Sequence, residues 1–322
     1  MNHIDHHAAP LLLNQQQVRD HLPALPVRAA LSALFQALAQ ERAVQPAQTL
    51  TLFPQGAGDV ITYQGVLADA GVFGAKLSPY IVTDGRPVIS AWTSLMSMHT
   101  GQPLLFCDSG LLTVERTAGT SALAIDLLAR QDSRQLTLIG CGALGQAHLR
   151  HVLPLRDWQR IRVYAPDLAG KPELQQQLQA LDARIQVSSS VAAACDNSDV
   201  IMLCTSSAAA VLDPATLSKP ALITSISTNA VNAHEVTPTS LAAMDVYCDH
   251  KHSTPDSAGE MVLASQAGSW QRERIVGDLA DLVSQRCALP DYRRPVFFRS
   301  IGMGLQDIAI ACALLQQAQA AR

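Results

Sequence analysis

The sequence predicts an α/β protein: a doubly wound parallel sheet joined to an α+β domain that the C-terminal helix completes. Three observations predict it. From Gln135 onward, short apolar runs alternate with helical stretches, the rhythm of parallel strands joined by crossovers. Before that point the pattern is mixed, with helix signals and several strand-like pieces. The chain then ends in a long apolar segment, "SIGMGLQDIAIACALLQQAQAA", which follows the alternating region and so has to pack back on the first domain. The expected division is 1–122 with 298–322 for the α+β domain and 123–297 for the doubly wound one.

In chain order, "PVRAALSALFQALAQER" from Pro26 reads as a helix, with proline suited to its first turn. "TLTLFP", "DVITYQG" and "GVFGAKLSPYIV" read as strands, and "SALAIDLLARQ" as a helix. That helix leads into "LTLIGCGALGQAHLRHVL", a strand, a glycine turn and a helix. Next come "IRVYAP" (strand), "KPELQQQLQALDA" (helix), "RIQV" (strand) and "VAAACDNS" (helix). "DVIMLCT", "ALITSIS" and "DVYCD" supply three further strands.

The bulk numbers exclude several classes. A chain of 322 residues can bury two cores. The net charge is −4 and no Lys/Arg cluster stands out, so no nucleic-acid partner is expected. No apolar run would span a bilayer and the N-terminus lacks a signal-peptide pattern, so a cytoplasmic enzyme without membrane contact is the expectation. Seven cysteines without a C-x-x-C pair read as reduced, buried thiols rather than as disulfides or zinc ligands. His3, His6 and His7 sit in a terminus, and His250 and His252 lack a third ligand, so no metal is expected.

Gly140, Gly142 and Gly145 satisfy G-x-G-x-x-G between a strand and a helix. The first glycine allows the tight turn, the second lets backbone approach a pyrophosphate, and the third lets helix and strand pack closely. Ala143 and Leu144 open the helix, whose N–H groups and dipole favour a phosphate. The turn therefore points to a Rossmann-type domain with NADPH or NADH as cofactor. After the second strand, in "VYAPDLAGK", Asp167 either binds the ribose or caps the turn, and no arginine stands ready for a 2′-phosphate. Thr205 and Ser206 follow an apolar strand at its carboxyl end, where open α/β sheets bind ligands; Ser225, Ile226 and Ser227 hold the same edge one strand later.

Lys76, "DGRP" at Asp84 to Pro87, "TGQP" at Thr100 to Pro103, "TVERTAG" at Thr113 to Gly119, the glycine turn and the closing "SIGMGLQD" together resemble the ornithine cyclodeaminase/mu-crystallin family over nearly the whole chain. The resemblance implies a Rossmann domain and a substrate domain that also forms a homodimer. It implies that Lys76 and Arg116 face the substrate carboxylate and the nicotinamide region. Their chemistry suits that role, since arginine offers a planar fork and lysine a point charge. Gly302 would let the last helix approach the nicotinamide. His99 and His234 are candidate proton donors, although His234 also reads as a helix start.

Two departures bear on the reaction. Asn229 stands where deaminating relatives carry an aspartate, and an amide is no general base. Gln48 stands where many relatives carry an arginine; it can hydrogen-bond a substrate oxygen without pairing its charge. Reduction of a cyclic ketimine asks less of the protein, because the cofactor supplies the hydride and the iminium already carries its proton. The expected function is therefore reduction of 1-pyrroline-2-carboxylate to proline, or of 1-piperideine-2-carboxylate to pipecolate, with Lys76, Arg116 and Asn229 as catalytic residues and the closest resemblance to such ketimine reductases. The alternatives are an alanine-type amino-acid dehydrogenase, an ornithine cyclodeaminase, which Asn229 disfavours, and a crystallin-like protein that binds NAD(P)H without turnover.

Overall fold

The computed structural model describes residues 4–227 and 230–321. The chain divides into two compact units, 1–116 with 302–322, and 117–301.

The first unit is built on a mixed sheet. Its strands run Leu11–Leu13, Pro103–Asp108, Trp92–Ser97, Val72–Ile81, Gly58–Leu67 and Ala43–Val44; Thr49–Leu52 pairs with Gly58–Leu67, and Val88–Ile89 with Val72–Ile81. Pairing is antiparallel except for Leu11–Leu13, which runs parallel to Pro103–Asp108. Along Val72–Ile81, buried Val72 and Lys76 alternate with exposed Phe73 and Leu77, the period of two that gives a sheet two distinct faces. Helix Gly304–Ala320 lies against the inner face: a Cβ on Gly304 would sit 2.1 Å from the carbonyl of Gln64, so backbone meets backbone there. This helix is buried from Gly304 through Leu315 on every side, as its nearly continuous apolar sequence demands. Helix Val27–Ala39 buries Leu31, Leu34 and Phe35 in the same unit.

The second unit is an eight-stranded sheet, parallel throughout, in the order Ile185–Val187, Arg160–Tyr164, Gln135–Ile139, Val200–Leu203, Leu222–Ser225, Val296–Arg299, Asp245–Cys248 and Ile275–Asp278. Its central strands are buried on both faces, Val200–Leu203 as an unbroken apolar run and its neighbours with polar residues only at their carboxyl ends. The order reverses between Gln135–Ile139 and Val200–Leu203, the switch point at which doubly wound sheets bind ligands. The α/β expectation is met, with two strands that the sequence reading did not find. Ile275–Asp278 forms an edge, and Val296–Arg299, the last strand of the chain, inserts between Leu222–Ser225 and Asp245–Cys248. Ile275–Asp278 is followed by a helix of only five residues, and Val296–Arg299 by a long helix that belongs to the first unit, so neither shows as part of the local alternation.

Candidate active site

Each unit carries one group of candidate residues. In the first, Lys76 stands on the inner face of Val72–Ile81, with Tyr63 and Thr93 as its direct cross-strand partners. Its Nζ lies 2.8 Å from Asp307 Oδ2 and 4.3 Å from the centre of the Tyr63 ring. Arg116, on helix Gly110–Leu128, donates from Nε to Asp307 Oδ1 at 3.0 Å and from Nη1 to Gln306 Oε1 at 3.2 Å. Gln306 Oε1 also accepts from the Met303 N–H at 3.2 Å, so the amide is fixed with its oxygen toward the arginine. Lys76 is 2 % exposed, Arg116 7 % and Asp307 4 %.

Three buried charges, two positive and one negative, leave the cluster cationic. Uncompensated buried charge is costly, so such a cluster is suited to an anion that completes it. Burial pushes Lys76 down to about 8, with Arg116 acting in the same direction and Asp307 opposing both. Burial likewise raises the Tyr63 phenol. Lys76 is thus charged at neutral pH and loses its proton not far above it. Gly302 has φ +84, and a Cβ there would lie 2.4 Å from Arg116 Nη1; glycine keeps the guanidinium in place.

Gln48 is exposed at the entrance to the edge strand Thr49–Leu52, outside this buried cluster, whereas Gln45 accepts from the Leu305 N–H at 3.0 Å. His99 is exposed and packs edge-on against His6 with ring centres 4.6 Å apart. Among the described residues no group of three or more His, Cys, Asp or Glu side chains has metal-binding geometry. Asn229 and His3 lie outside the described residues.

In the second unit, the glycine turn passes a test for a dinucleotide. Gly140 has φ +96, and a Cβ on it would lie 2.3 Å from the Cys204 carbonyl. A Cβ on Gly145 would lie 2.1 Å from the Gly140 carbonyl, so helix Ala143–Val152 is packed tightly onto its strand. Gly142 differs: nothing comes within 4 Å of its Cβ position, and it is exposed at the helix N-terminus with no side-chain cap. Space stands where a phosphate would approach backbone, with the N–H groups of Ala143, Leu144 and Gly145 in the first turn. Thr205, Ser206, Ser225, Ile226 and Ser227 lie at the carboxyl ends of Val200–Leu203 and Leu222–Ser225. Asp167 is exposed and ion-pairs with Lys171. His234 donates from Nδ1 to the Asn232 carbonyl at 2.8 Å. NAD(P)H fits these residues: the turn would hold its pyrophosphate, and the strand ends its nicotinamide half.

Sequence reasoning gave no role to Gln306, Tyr63 and Glu235, nor to Asp307, although Asp307 closes the "SIGMGLQD" motif. Asp307 had a signal: it is the one acid in the closing apolar helix, and a lone carboxylate in a segment that must be buried requires a cation. Glu235, fully buried in "NAHEVTP", had none.

An eight-stranded parallel sheet with a dinucleotide turn at its switch point, in a chain that also carries a mixed-sheet unit with a buried cationic cluster, defines a class of two-unit dinucleotide-binding proteins. The pattern of the ornithine cyclodeaminase/mu-crystallin family matches residues 10–321, and the chain belongs to that family. It is 53 % identical, over 97 % of its length and 99 % of the relative's, to the NAD(P)H-dependent anabolic L-arginine dehydrogenase of Pseudomonas aeruginosa. Identity to the Δ1-pyrroline-2-carboxylate reductase of Colwellia psychrerythraea is 25 %, covering 76 % of this chain and 80 % of that one. The Thermococcus litoralis Δ1-pyrroline-2-carboxylate reductase, solved with NADH and L-proline, superposes with a TM-score of 0.87 at 22 % identity, covering 97 % of this chain and 98 % of that one; it shares the fold. The family expectation is met, and the finer one is corrected. The chain is more similar to an amino-acid dehydrogenase than to these ketimine reductases.

Proposed function

We propose that this chain is an NAD(P)H-dependent oxidoreductase acting on carbon–nitrogen bonds, and that it aminates a guanidino 2-oxo acid reductively to L-arginine. The observation that carries this reading is the 53 % identity to the arginine dehydrogenase over almost the whole of both chains. In the balanced reaction, 2-oxo-5-guanidinopentanoate, ammonia, NAD(P)H and a proton give arginine, NAD(P)+ and water. The cofactor, when bound, supplies the hydride.

The chain's own residues do the rest. Lys76 and Arg116 hold the carboxylate next to the C=N carbon, the guanidinium by its fork and the ammonium as a point charge. Asp307 keeps both cations in place and Gln306 fixes the arginine fork. Holding the carboxylate fixes the adjacent carbon for hydride delivery. Asn229 and Gln48 remain candidate contacts of the substrate, and an amide at 229 speaks against deamination.

A cyclic ketimine reductase is the second reading, because it makes the same demand on Lys76 and Arg116: a C=N carbon beside a carboxylate. The two separate on ammonia. Oxidation of NADPH or NADH that requires both the guanidino oxo acid and ammonium supports the first reading. Oxidation with 1-pyrroline-2-carboxylate and no ammonium, together with silence toward the oxo acid, replaces it with the second.

The partner expectation is a homodimer. On the sheet of the first unit, Leu50, Leu52, Phe73, Leu77, Ile89 and Phe106 are exposed, an apolar set that a second copy would cover. Sedimentation should give a dimer that Leu77→Glu weakens. A cytoplasmic location accords with seven unpaired cysteines, and no single helix among the described residues is long and apolar enough to cross a membrane.

A further inference from the structure

Glu235 lies in the loop that follows Leu222–Ser225 and is fully buried. Its Oε1 accepts from the N–H and from the hydroxyl of Thr205, both at 2.7 Å. Its Oε2 accepts from the Ser225 hydroxyl at 2.7 Å and from the Ser227 N–H at 2.8 Å. Each oxygen receives a main-chain N–H, so the group acts as a carboxylate with four donors on it. Its own main-chain carbonyl accepts from the N–H groups of Val211 and Leu212 at 2.9 and 3.1 Å. One residue thereby fastens together the loops that leave two adjacent strands at their carboxyl ends.

Those loops flank the switch point. Thr205 follows Cys204, whose carbonyl is the atom a Cβ on Gly140 would strike, so the braced segment also backs the glycine turn. Ser227 is held at φ +53, a conformation that non-glycine residues adopt only where the surroundings impose it, and the Glu235 carboxylate grips its N–H. Packing alone does not call for a buried carboxylate, since well-packed apolar residues often serve stability as well as buried charge does. What the carboxylate provides is geometry: four donors on two loops, held at fixed separations.

We propose that Glu235 is a positioning residue of the dinucleotide site. By holding Thr205, Ser225 and Ser227 it sets the lip that receives the nicotinamide half of NAD(P)H. In a doubly wound sheet this half lies on the Val200–Leu203 side of the switch point, and the adenosine half on the side of Arg160–Tyr164. The inference rests on the NAD(P)H reading above.

The test compares two ligands on the full-length protein. NADPH has both halves; ADP-ribose has the adenosine and pyrophosphate without the nicotinamide. Affinity for each is measured by calorimetry on wild type, Glu235→Gln and the paired Thr205→Val, Ser225→Ala, with Tm recorded for all three. Glu235→Gln sets an amide N–H₂ against donors. It should weaken NADPH about tenfold and leave ADP-ribose unchanged, and the pair should follow the same pattern more weakly. Equal losses for both ligands, or no loss for either, would overturn the proposal and leave Glu235 as a stabilising residue only. If Glu235→Gln does not fold, the paired variant decides by the same criterion. Wild type that binds neither ligand overturns the NAD(P)H reading and this inference with it.

Discussion

In the first unit the candidate groups are side-chain charges: Lys76, Arg116 and Asp307, buried together within 3.0 Å contacts. At the carboxyl edge of the second unit they are main-chain N–H groups and hydroxyls, with Glu235 turned inward to hold them and Gly142 left open. The difference follows from the ligands proposed for each. A small carboxylate offers one charge and few atoms, so concentrated opposite charge has to meet it. A pyrophosphate is long and multiply charged, and a helix N-terminus with a glycine turn can hold it by dipoles alone. The first region should therefore fail when a side chain is shortened, and the second when a Cβ is added.

Arg116→Ala should have the largest effect, lowering kcat/KM by about 10²–10³-fold, the scale on which removing one preorganised donor acts. Lys76→Ala should match it, and steady-state kinetics on both checks this; a loss below tenfold would remove the carboxylate role. Asp307→Asn leaves two buried cations without their anion and should destabilise the fold by about 3–5 kcal/mol in urea titration. Gly140→Ala forces alanine to φ +96 against the Cys204 carbonyl and should cost about 3 kcal/mol, whereas Gly142→Ala at φ −67 should leave stability unchanged and weaken NADPH.

Two pH dependences sharpen the contrast. His148, buried in the second unit, donates from Nδ1 to the Leu144 carbonyl at 2.7 Å and accepts at Nε2 from Ser121 at 2.9 Å, which makes it neutral. Burial lowers it from 6.5 to about 4. The unfolded chain takes the proton first, so stability is complete above pH 6.5 and declines by about 3 kcal/mol as pH falls toward 4. His148→Gln should flatten that slope in denaturation measured across this range. In the first unit the sign of the effect falls at the other end. Lys76, lowered from 10.5 to about 8, loses its charge as pH rises, so affinity for the oxo acid should weaken about tenfold through that region. Affinity that tightens instead would exclude Lys76 as the anion partner.

How far the sequence could be read varies with the range of the interaction. The turn at Gly140 to Gly145 is a local object: strand, glycines and helix are contiguous, and Gly140 and Gly145 answer to close contacts with the Cys204 and Gly140 carbonyls while Gly142 stands open. Lys76 and Arg116 were found through family motifs rather than through any property of their own segments, since neither spacing nor periodicity marks them. Gln45, which sequence reading did not single out, reaches helix Gly304–Ala320, whereas Gln48, three residues later, is exposed; that contact depends on the fold and not on the local sequence.

The sequence by itself determined the alternation of strands and helices after Gln135, the dinucleotide turn, and the return of an apolar C-terminal helix, because propensity, periodicity and burial act over a few residues at a time. Tertiary structure alone decided that Asp307 would neutralise Lys76 while fixing Arg116, that Val296–Arg299 would enter the middle of a parallel sheet, and that Glu235 would grip Thr205 and Ser227. A buried charge declares its partner only when the chain has folded, since its energy depends on atoms a few ångströms away in space and not on its neighbours in sequence.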